Sequence, residues 1–439
     1  MNNIRNVEAM DEPLEKELVA KTYFSGFDLA HDTYNAITAA SDGKIYYVLS
    51  SESYDIGGQI YVYDPETDQT RFLADMTEIC GETGMKAIPQ GKSHVRFYES
   101  NGKLYFATHI GVYEMIDGME RLPKNPRDGY NLYPGGHIVS YDLVSGTFED
   151  LSLAPEGEGF LTMTIDRDRN HIYALTWPLG YLVDFDMTTG ESKNIGLTCA
   201  KGEGGIVGDD YRVICRSMFV DPRDGKLYFS TGEGDIMYYT PGMESFKKLE
   251  GIDLKLDYFG SYDPTRPGSM GYNWRKIFWH EGDNVAYGVH GNSGYLFRFD
   301  PQKPEIQIID RIASQPSKRS GMFDQFSYGY LGFQPGPDKE TIYYLTGGPI
   351  YENGKRVKGA EQIAKGAAKG LENLHLVTYH LPTNTYTDHG SVFYPDGSRP
   401  TYVNSITVGA DGSVYTLARF MHEGNEIQDL VKIADPFKQ

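Results

Sequence analysis

The segment NGKLYFAT, residues Asn101–Thr108, is the clearest copy of a motif that recurs along the whole chain. It consists of a tight polar turn followed by an apolar strand that carries a tyrosine. Asn-Gly and Asp-Gly turns between apolar segments are typical of β-hairpins. The other copies are DGKIYY (Asp42–Tyr47), RNHIYALT (Arg169–Thr176), DGKLYFST (Asp224–Thr231), GDNVAYGV (Gly282–Val289), KETIYYLT (Lys339–Thr346) and DGSVYTLA (Asp411–Ala418). The sequence therefore predicts seven related hairpins.

The spacing of this motif predicts the fold class. The equivalent tyrosines run from Tyr46 to Tyr415 in six intervals of about 61 residues, which is typical of repeat architectures. A second hairpin follows each copy, so each unit has four antiparallel strands, as in a propeller blade. The last unit stops after its third strand. We therefore predict an all-β, seven-bladed β-propeller, one domain over residues 1–439, whose ring is closed by segment 20–28.

Composition limits the possible partners. The 439-residue chain has a formal net charge of −20, which argues against nucleic acid and anionic membranes. We expect no membrane-spanning segment and no signal peptide, because the chain has no long apolar run and no apolar stretch at its N-terminus. A chain whose leader had been removed would look the same, so the sequence allows the cytoplasm or a secreted location. We also expect a monomer.

The cysteines give no evidence for a disulfide framework or a metal site. Cys80, Cys199 and Cys215 are too few for such a framework, and their spacing matches no zinc motif. Cys215 with His280 and His290 could form a metal site, but separate structural roles are favoured. The sequence requires no cofactor, and it leaves a structural calcium or zinc ion possible.

The long connections are expected on one face of the propeller. Within each unit the turns between the first two and the last two strands are short, whereas long segments occur only in the remaining connections. In an up-and-down blade these remaining connections share one face, and long loops on a rigid scaffold often carry function. The longest, Pro349–Leu374, predicts a short helix with Lys365 and Lys369. A solvated surface insertion is the favoured interpretation of that helix.

A pair of histidines is predicted at this face. With Asn101-Gly102 as the turn, His94 and His109 are equidistant from it and should face each other across the ladder, with Cβ atoms about 4.5–5.5 Å apart. The strand that carries His94 is the innermost, so the pair should lie near the central axis. Two imidazoles this close disfavour double protonation, and a neutral one can act as a general base.

The same counting in the other repeats predicts what surrounds the pair. Eleven or twelve residues before the repeat tyrosines lie Asn35, Arg216, Arg275, Lys276 and Asn404. Four residues after them lie Trp177 and Arg419, with His290 one residue short, and third strands begin at His137 and Tyr181. A single arginine more often forms a salt bridge. Several that converge favour an anion site, because guanidinium groups bind carboxylates bidentately.

Two other motifs indicate no chemistry. The glycine-rich segment Gly202–Asp210 precedes a strand rather than a helix, so it does not match a dinucleotide-binding loop. Segment Asp166–Asn170 begins like a calcium loop, but Trp177 occupies the position of the bidentate glutamate, so we interpret it as a turn. A carboxylate pair for glycoside hydrolysis cannot be selected among the 61 acidic residues.

Three stretches resemble the seven-bladed propeller polysaccharide lyases, which include ulvan lyases and rhamnosyl-glucuronate lyases. They are GKSHVRFYESNGKLYFATHIG (Gly91–Gly111), YPGGHIVSYDLVSG (Tyr133–Gly146) and CRSMFVDPRDGKLYFST (Cys215–Thr231). The K-x-H…GKLYFATH hairpin is the most specific part. The resemblance implies β-elimination at a bond to a uronic acid, in an acidic oligo- or polysaccharide of the ulvan or rhamnose-glucuronate type.

The resemblance also implies roles for individual residues. His94 and His109 would lie at the reacting centre, Tyr181 would supply the tyrosine, and Arg216 would neutralise the uronate carboxylate, with Arg212 as the competing match. The residues predicted to bind substrate are His137, Trp177, Arg212, Arg275, Asn35, Asn404 and Arg419. Relatives often hold a structural zinc ion through a cysteine and histidines, and this chain has no matching set.

Two alternative functions remain open at the level of the sequence. Related propellers are described as α-L-rhamnosidases that act on rhamnose linked to glucuronate, so a glycoside hydrolase is the second interpretation. A propeller that binds a glycan or a protein without catalysis is the third.

Overall fold

The turn of the repeat motif has the geometry that its sequence predicts. In a computed structural model of the chain, Asn101 and Gly102 have φ values of 51° and 73°. A type I′ hairpin turn needs positive φ at both positions, and Asn-Gly meets that requirement. The structure describes residues 17–268, 270–291, 293–320, 332–349, 351–352, 355–356 and 372–438. The helix predicted around Lys365 and Lys369 lies outside the described residues.

Five sheets of four antiparallel strands follow one another along residues 37–311. The first contains β2 (Ile37–Ala39), β3 (Ile45–Leu49), β4 (Gln59–Asp64) and β5 (Gln69–Asp75). The second contains β6 (Tyr98–Ser100), β7 (Lys103–Ala107), β10 (His137–Asp142) and β11 (Phe148–Leu153), with an inserted hairpin of β8 (Glu114–Ile116) and β9 (Met119–Arg121). The third contains β12 (Gly159–Asp166), β13 (His171–Trp177), β14 (Tyr181–Asp186) and β15 (Ser192–Leu197).

The fourth and fifth sheets follow the same order. The fourth contains β16 (Phe219–Asp221), β17 (Lys226–Ser230), β18 (Asp235–Tyr239) and β19 (Lys247–Asp253). The fifth contains β20 (Trp274–His280), β21 (Val285–His290), β22 (Tyr295–Asp300) and β23 (Glu305–Arg311). Two short α-helices, α1 (Met76–Ile79) and α2 (Gln315–Ser320), lie in connections. The prediction of an all-β chain built from four-stranded antiparallel sheets is therefore confirmed.

Eight of the remaining strands form a single sheet. Its members are β1 (Glu17–Thr22), β24 (Phe333–Pro335), β25 (Thr341–Pro349), β28 (Glu372–His380), β29 (Thr385–Phe393), β30 (Thr407–Val408), β31 (Val414–His422) and β32 (Asn425–Ile433). A separate hairpin is formed by β26 (Tyr351–Glu352) and β27 (Lys355–Arg356). Strand β1 lies between β29 and β32, and so joins two groups of four strands.

The N-terminal strand has different bounds from those predicted. Residues 20–28 were expected to pair with the last strand, but β1 begins at Glu17 and ends at Thr22. Its second half pairs antiparallel with β32, from Ala20↔Ile433 to Thr22↔Val431. Its first half pairs parallel with β29 instead. The alternation of buried and exposed residues in ELVAKT, a period of two, fixes which side chains face the core.

Hydroxyl groups on the first strands connect one sheet to the next. The Thr38 hydroxyl donates to the Phe97 carbonyl at 3.0 Å, and the Thr162 hydroxyl donates to the Arg216 carbonyl at 3.1 Å. The Ser217 hydroxyl lies 3.3 Å from the Ile277 carbonyl. The first strands of neighbouring sheets therefore lie side by side, while apolar clusters fill the space between sheets.

A buried carboxylate connects the segment after β1 to β3 and to β32, the last strand of the described chain. Asp429 on β32 is fully buried and accepts hydrogen bonds from the Ser25 amide and hydroxyl, each at 2.7 Å. The Tyr47 hydroxyl on β3 lies 2.6 Å from the Ser25 hydroxyl. Burial raises the pKa of Asp429 to about 7, against the opposing effect of the two Ser25 bonds. Ser25 is therefore needed to satisfy a carboxylate that water does not reach.

Replacing Ser25 should destabilise the protein. Ser25→Ala removes one donor from a buried carboxylate, and we expect the free energy of unfolding to fall by about 1–3 kcal/mol. Urea unfolding at pH 8, where Asp429 is ionised, measures the change. The matched control is Ser145→Ala, an exposed serine in a turn, which should change it by less than about 0.5 kcal/mol. Equal losses in the two variants would contradict this role of Ser25.

Candidate active site

The two predicted histidines do meet. The ring centroids of His94 and His109 are 4.3 Å apart, and the ring planes are inclined at 71°. The predicted register is wrong, however, because the backbone of His109 pairs with Lys92 rather than with His94, through bonds of 2.9 and 2.6 Å. The regular ladder begins only at Tyr98↔Tyr105. Two extra residues in the intervening segment displace His94 from the ladder, much as a β-bulge would.

The ring of His109 is enclosed by a glycine. His109 is 1% exposed, and a Cβ atom added at Gly159 would lie 2.3 Å from its Nδ1 atom. Gly159 is the first residue of β12, so the third sheet begins directly against the imidazole. The absence of a side chain at this position permits the approach.

Aromatic rings surround the histidine pair. Tyr34 stacks on His94 with centroids 4.1 Å apart, and Trp177 lies 5.4 Å from His109 in an edge-on arrangement. The Tyr113 ring lies 6.2 Å from His109. Trp177 was predicted at this position, whereas the two tyrosines were missed. Tyr34 is the residue before the predicted Asn35, so the counting reached the segment that contacts His94.

A buried lysine lies beside these rings. Lys92 is 1% exposed, and its Nζ atom is 2.9 Å from the Glu52 carboxylate. The same Nζ atom lies 4.8 Å from the centroid of Tyr113 and 5.8 Å from that of Tyr34. A carboxylate together with aromatic faces stabilises an ammonium that has lost its water. Lys92 is the lysine of the K-x-H sequence, which is the signal that could have identified it.

The carboxylate of Glu52 is also engaged by His31. Burial by itself would raise the pKa of Glu52, but the hydrogen bond with His31 and the charge of Lys92 bring it to about 2. The pKa of His31 is raised, chiefly by its hydrogen bond with Glu52. Glu52 is therefore ionised at neutral pH, and it serves as a counter-charge rather than as an acid.

The predicted Arg216 is engaged by a glutamate from the glycine-rich loop. Its guanidinium lies 2.5 Å from Glu203 Oε1, and the indole of Trp177 donates to Glu203 Oε2 at 3.1 Å. The Gly202–Asp210 loop, which indicated no chemistry in the sequence, thus holds both the predicted arginine and the predicted tryptophan. Any anion that binds Arg216 has to share it with Glu203.

Arg419 reaches the site through a second tyrosine. Its guanidinium lies 4.5 Å from the ring centroid of Tyr402 and forms an ion pair with Asp32. The Tyr402 hydroxyl in turn lies 2.9 Å from that of Tyr34, which stacks on His94. Arg419 is therefore linked to the pocket, although its charge is already balanced.

His137 is better explained as a structural residue than as a substrate ligand. Its Nδ1 and Nε2 atoms lie 2.9 Å from Asp150 and 2.8 Å from Glu82. Burial by itself would lower the pKa of His137, but hydrogen bonds with the two carboxylates raise it to about 9. Both ring nitrogens are engaged by carboxylates, and nothing in the structure tests whether His137 also contacts a substrate.

The other predicted residues have their own surroundings. Tyr181 begins β14, and its pKa is raised by burial and then by the charges of Glu158 and Glu156. Arg212 pairs with Glu233 and donates to two backbone carbonyls of its own loop. No described contact joins Tyr181 or Arg212 to the histidine rings.

Three predicted residues lie on or just before the first strands of their sheets. Asn35 is partly exposed, and its carbonyl accepts from the amide of Ile37. Asn404 is fully buried, and Arg275 is 4% exposed. Nothing in the structure tests whether these three side chains bind a substrate.

One group of the described residues has the composition of a metal site. The ligand atoms of His31, Asp32 and Glu52 lie within 4.8 Å of one another. Lys92 and Arg419 already pair with the two carboxylates, so the charge that would hold a cation is balanced. Two members of the set of Cys215, His280 and His290 have other contacts. The Cys215 thiol donates to the Ser217 carbonyl, and His290 stacks on Phe259, so separate structural roles are favoured here too.

Comparisons with known proteins concern the fold alone. No family model and no curated protein matches the chain. A chain of a mitotic checkpoint complex is similar over 97% of this chain and 95% of its own length, with 11% identity and a TM-score of 0.50. A virginiamycin B lyase from Staphylococcus aureus matches over 79% and 85%, with 11% identity and a TM-score of 0.42. A putative 6-phosphogluconolactonase from Bacteroides uniformis ATCC 8492 matches over 82% and 85%, with 11% identity and a TM-score of 0.43.

The four-stranded antiparallel sheets and the similarity to the chain of the mitotic checkpoint complex show that the fold is a β-propeller. At 11% identity the matches say nothing about activity.

Among the described residues, no helix is long and apolar enough to span a membrane.

Enlarging Gly159 should disturb the histidine pair. In Gly159→Ala the new methyl group would overlap the ring of His109, and we expect a loss of about 1–3 kcal/mol in unfolding free energy together with a shift of that ring. A crystal structure and a urea titration of the variant test this. Gly232→Ala is the control, because its Cβ would meet its nearest neighbour at 3.3 Å. An unmoved His109 ring in a fully stable variant would contradict the close approach.

The ion pairs of His137 should make stability depend on pH. The folded pKa of about 9 lies above the usual value of 6.5, so the contribution of the charged ring is complete below pH 6.5 and is lost as the pH rises through 9. The difference in unfolding free energy between wild type and His137→Gln should therefore be largest near pH 6 and shrink towards pH 10. Chemical denaturation at several pH values measures it. A difference that stays constant with pH would contradict this assignment.

Proposed function

We propose that the chain is a seven-bladed propeller polysaccharide lyase that cleaves a bond to a uronic acid by β-elimination. The proposal of seven blades is supported by five sheets of four strands and by the eight-stranded sheet, which divides into two groups of four at β1. The pairing of Ala20–Thr22 with β32 supports closure of the ring by the N-terminal strand. The resemblance of the K-x-H…GKLYFATH hairpin to these lyases supports the reaction class.

The contact between His94 and His109 is the observation on which this proposal rests. β-Elimination needs a base for the proton at C5 of the uronate and an acid for the leaving oxygen. Two imidazoles in contact disfavour double protonation, so at least one of them is expected to be neutral. One can then accept the C5 proton, and the other, or the Tyr34 hydroxyl beside His94, can donate to the leaving oxygen.

The charge that develops on the substrate needs a cation. Removing the C5 proton moves charge into the uronate carboxylate, and a positioned cation stabilises that state. Arg216 is our candidate, held by Glu203, and Lys92 is a second cation beside the same aromatic rings. Trp177 and Tyr113 offer flat faces on which sugar rings can stack.

The state of the nearby carboxylates supports a lyase over a hydrolase. A glycoside hydrolase of the usual kind needs one carboxyl group that is protonated and can act as an acid. Glu52, Asp32 and Glu203 are each paired with a cation, namely Lys92, Arg419 and Arg216. The pKa of Glu52 is about 2, so its carboxyl group does not supply that acid, and histidine or tyrosine is our candidate for the proton donor.

Activity assays on uronate glycans test the proposal. We expect an ultraviolet-absorbing unsaturated product, and His94→Ala and His109→Ala should each lower turnover by about 10²–10⁴-fold. The matched control is His380→Ala, a more exposed histidine at the end of β28, which should leave turnover unchanged.

Other outcomes identify the alternatives. Release of rhamnose or reducing sugar without the unsaturated product would indicate a glycoside hydrolase. Binding of a glycan without turnover, with affinity kept in both histidine variants, would indicate a non-catalytic propeller. Either result would overturn the lyase.

A further inference from the structure

A second group of cations lies on the first strand of the fifth sheet and just before the first strand of the second sheet. Lys276 on β20 is 9% exposed, and Arg275 before it is 4% exposed. The pairing of β20 with β21 is irregular between Trp274 and Lys276, so Arg275 occupies a bulge. Such irregularities redirect side chains and are common beside binding sites. Arg96, which precedes β6, is the third member of this group.

Two of these cations have no counter-charge among the described residues. The surroundings of Lys276 include the charges of Arg96 and Arg275 and the thiol of Cys215, and no carboxylate. The Nε atom of Arg96 is buried and has no hydrogen-bond partner within the described part of the chain, and the contact of its guanidinium is with the Tyr98 ring at 5.4 Å. Burying charge without a partner is costly, so a cluster of this kind calls for an anion.

The neighbouring charges are close enough to act on the lysine. Burial, and then the positive charges of Arg96 and Arg275, lower the pKa of Lys276 to about 7, while Cys215 acts weakly in the opposite direction. The cations of the candidate active site differ in this respect. Lys92 and Arg216 each have a carboxylate within 3 Å. Lys276 and Arg96 are thus the two cations of this group to which the described residues supply no counter-charge.

We propose that Lys276, Arg96 and Arg275 bind an oxyanion between the inner strands of the propeller. A guanidinium group offers paired donors that match an oxyanion, and an ammonium adds a point charge. A free tetrahedral anion such as sulfate has this chemistry, and so has the carboxylate of a sugar acid. The site goes beyond the proposed lyase activity, because binding there requires no turnover.

Calorimetric titration of the full chain with sodium sulfate tests the site. We expect saturable binding that Lys276→Met and Arg96→Met each weaken at least tenfold. Lys226→Met is the matched control, since this strand lysine is paired with Asp224 outside the cluster, and its affinity should stay within twofold of the wild type. Absence of saturable binding to both sulfate and glucuronate would overturn the proposal. So would an affinity for sulfate that is the same in Lys276→Met, Arg96→Met and Lys226→Met.

Proton uptake gives a second readout that needs no variant. The pKa of Lys276 is about 7, so this lysine is mostly neutral at pH 8. An anion that binds beside it should therefore cause uptake of a proton from the buffer at pH 8, and this uptake should vanish at pH 6. Titration in two buffers of different ionisation enthalpy measures this, and it decides the matter if a variant does not fold. No uptake at pH 8 would overturn the site.

Glucuronate identifies the source of the anion. Glucuronate binding that the same two variants abolish would support the site and assign it to a sugar carboxylate. Sulfate binding alone would support a site for a free inorganic anion. Both results are independent of catalytic turnover, so failure of the lyase proposal and failure of this one can be told apart.

Discussion

The buried ammonium of Lys92 is the constraint on which the candidate active site depends. Its backbone pairs with His109, and its side chain lies against Glu52, Tyr34 and Tyr113. An ammonium at 1% exposure is tolerated only where a counter-charge and polarisable faces replace water. Burial of Lys92 therefore depends on the Glu52 carboxylate and on the Tyr34 and Tyr113 rings. Because Lys92 pairs with His109, His94 two residues later lies outside the regular ladder.

Charge pairing gives the pocket its chemical character. In a chain with a net charge of −20, three carboxylates near the histidine pair, those of Glu52, Glu203 and Asp32, are each matched by a cation. Glu158 differs, because its buried carboxyl group accepts from the Thr176 hydroxyl and the Leu179 amide, and burial raises its pKa. The same pairing explains why the pocket lacks the character of a cation site, despite His31, Asp32 and Glu52 lying close together.

The sequence predicted much of the fold and part of the site. Asn101-Gly102 defined a hairpin, and counting outward from it brought His94 and His109 together. The counting failed in detail because the segment from Lys92 to Tyr98 has two residues more than its partner, which a regular ladder does not allow for. An offset of one residue separated the predicted Asn35 from Tyr34, the ring that stacks on His94.

The sequence by itself determined the repeated hairpins, the four-stranded units and the histidines, because turn residues and alternating apolar residues act over a few positions. Tertiary structure alone decided which charges meet. Asp32 pairs with Arg419 across 387 residues, and Glu203 reaches Arg216 and Trp177 from a glycine-rich loop. Such contacts join loops of different sheets, so they depend on how the sheets pack around one another and leave no periodic signal in the sequence.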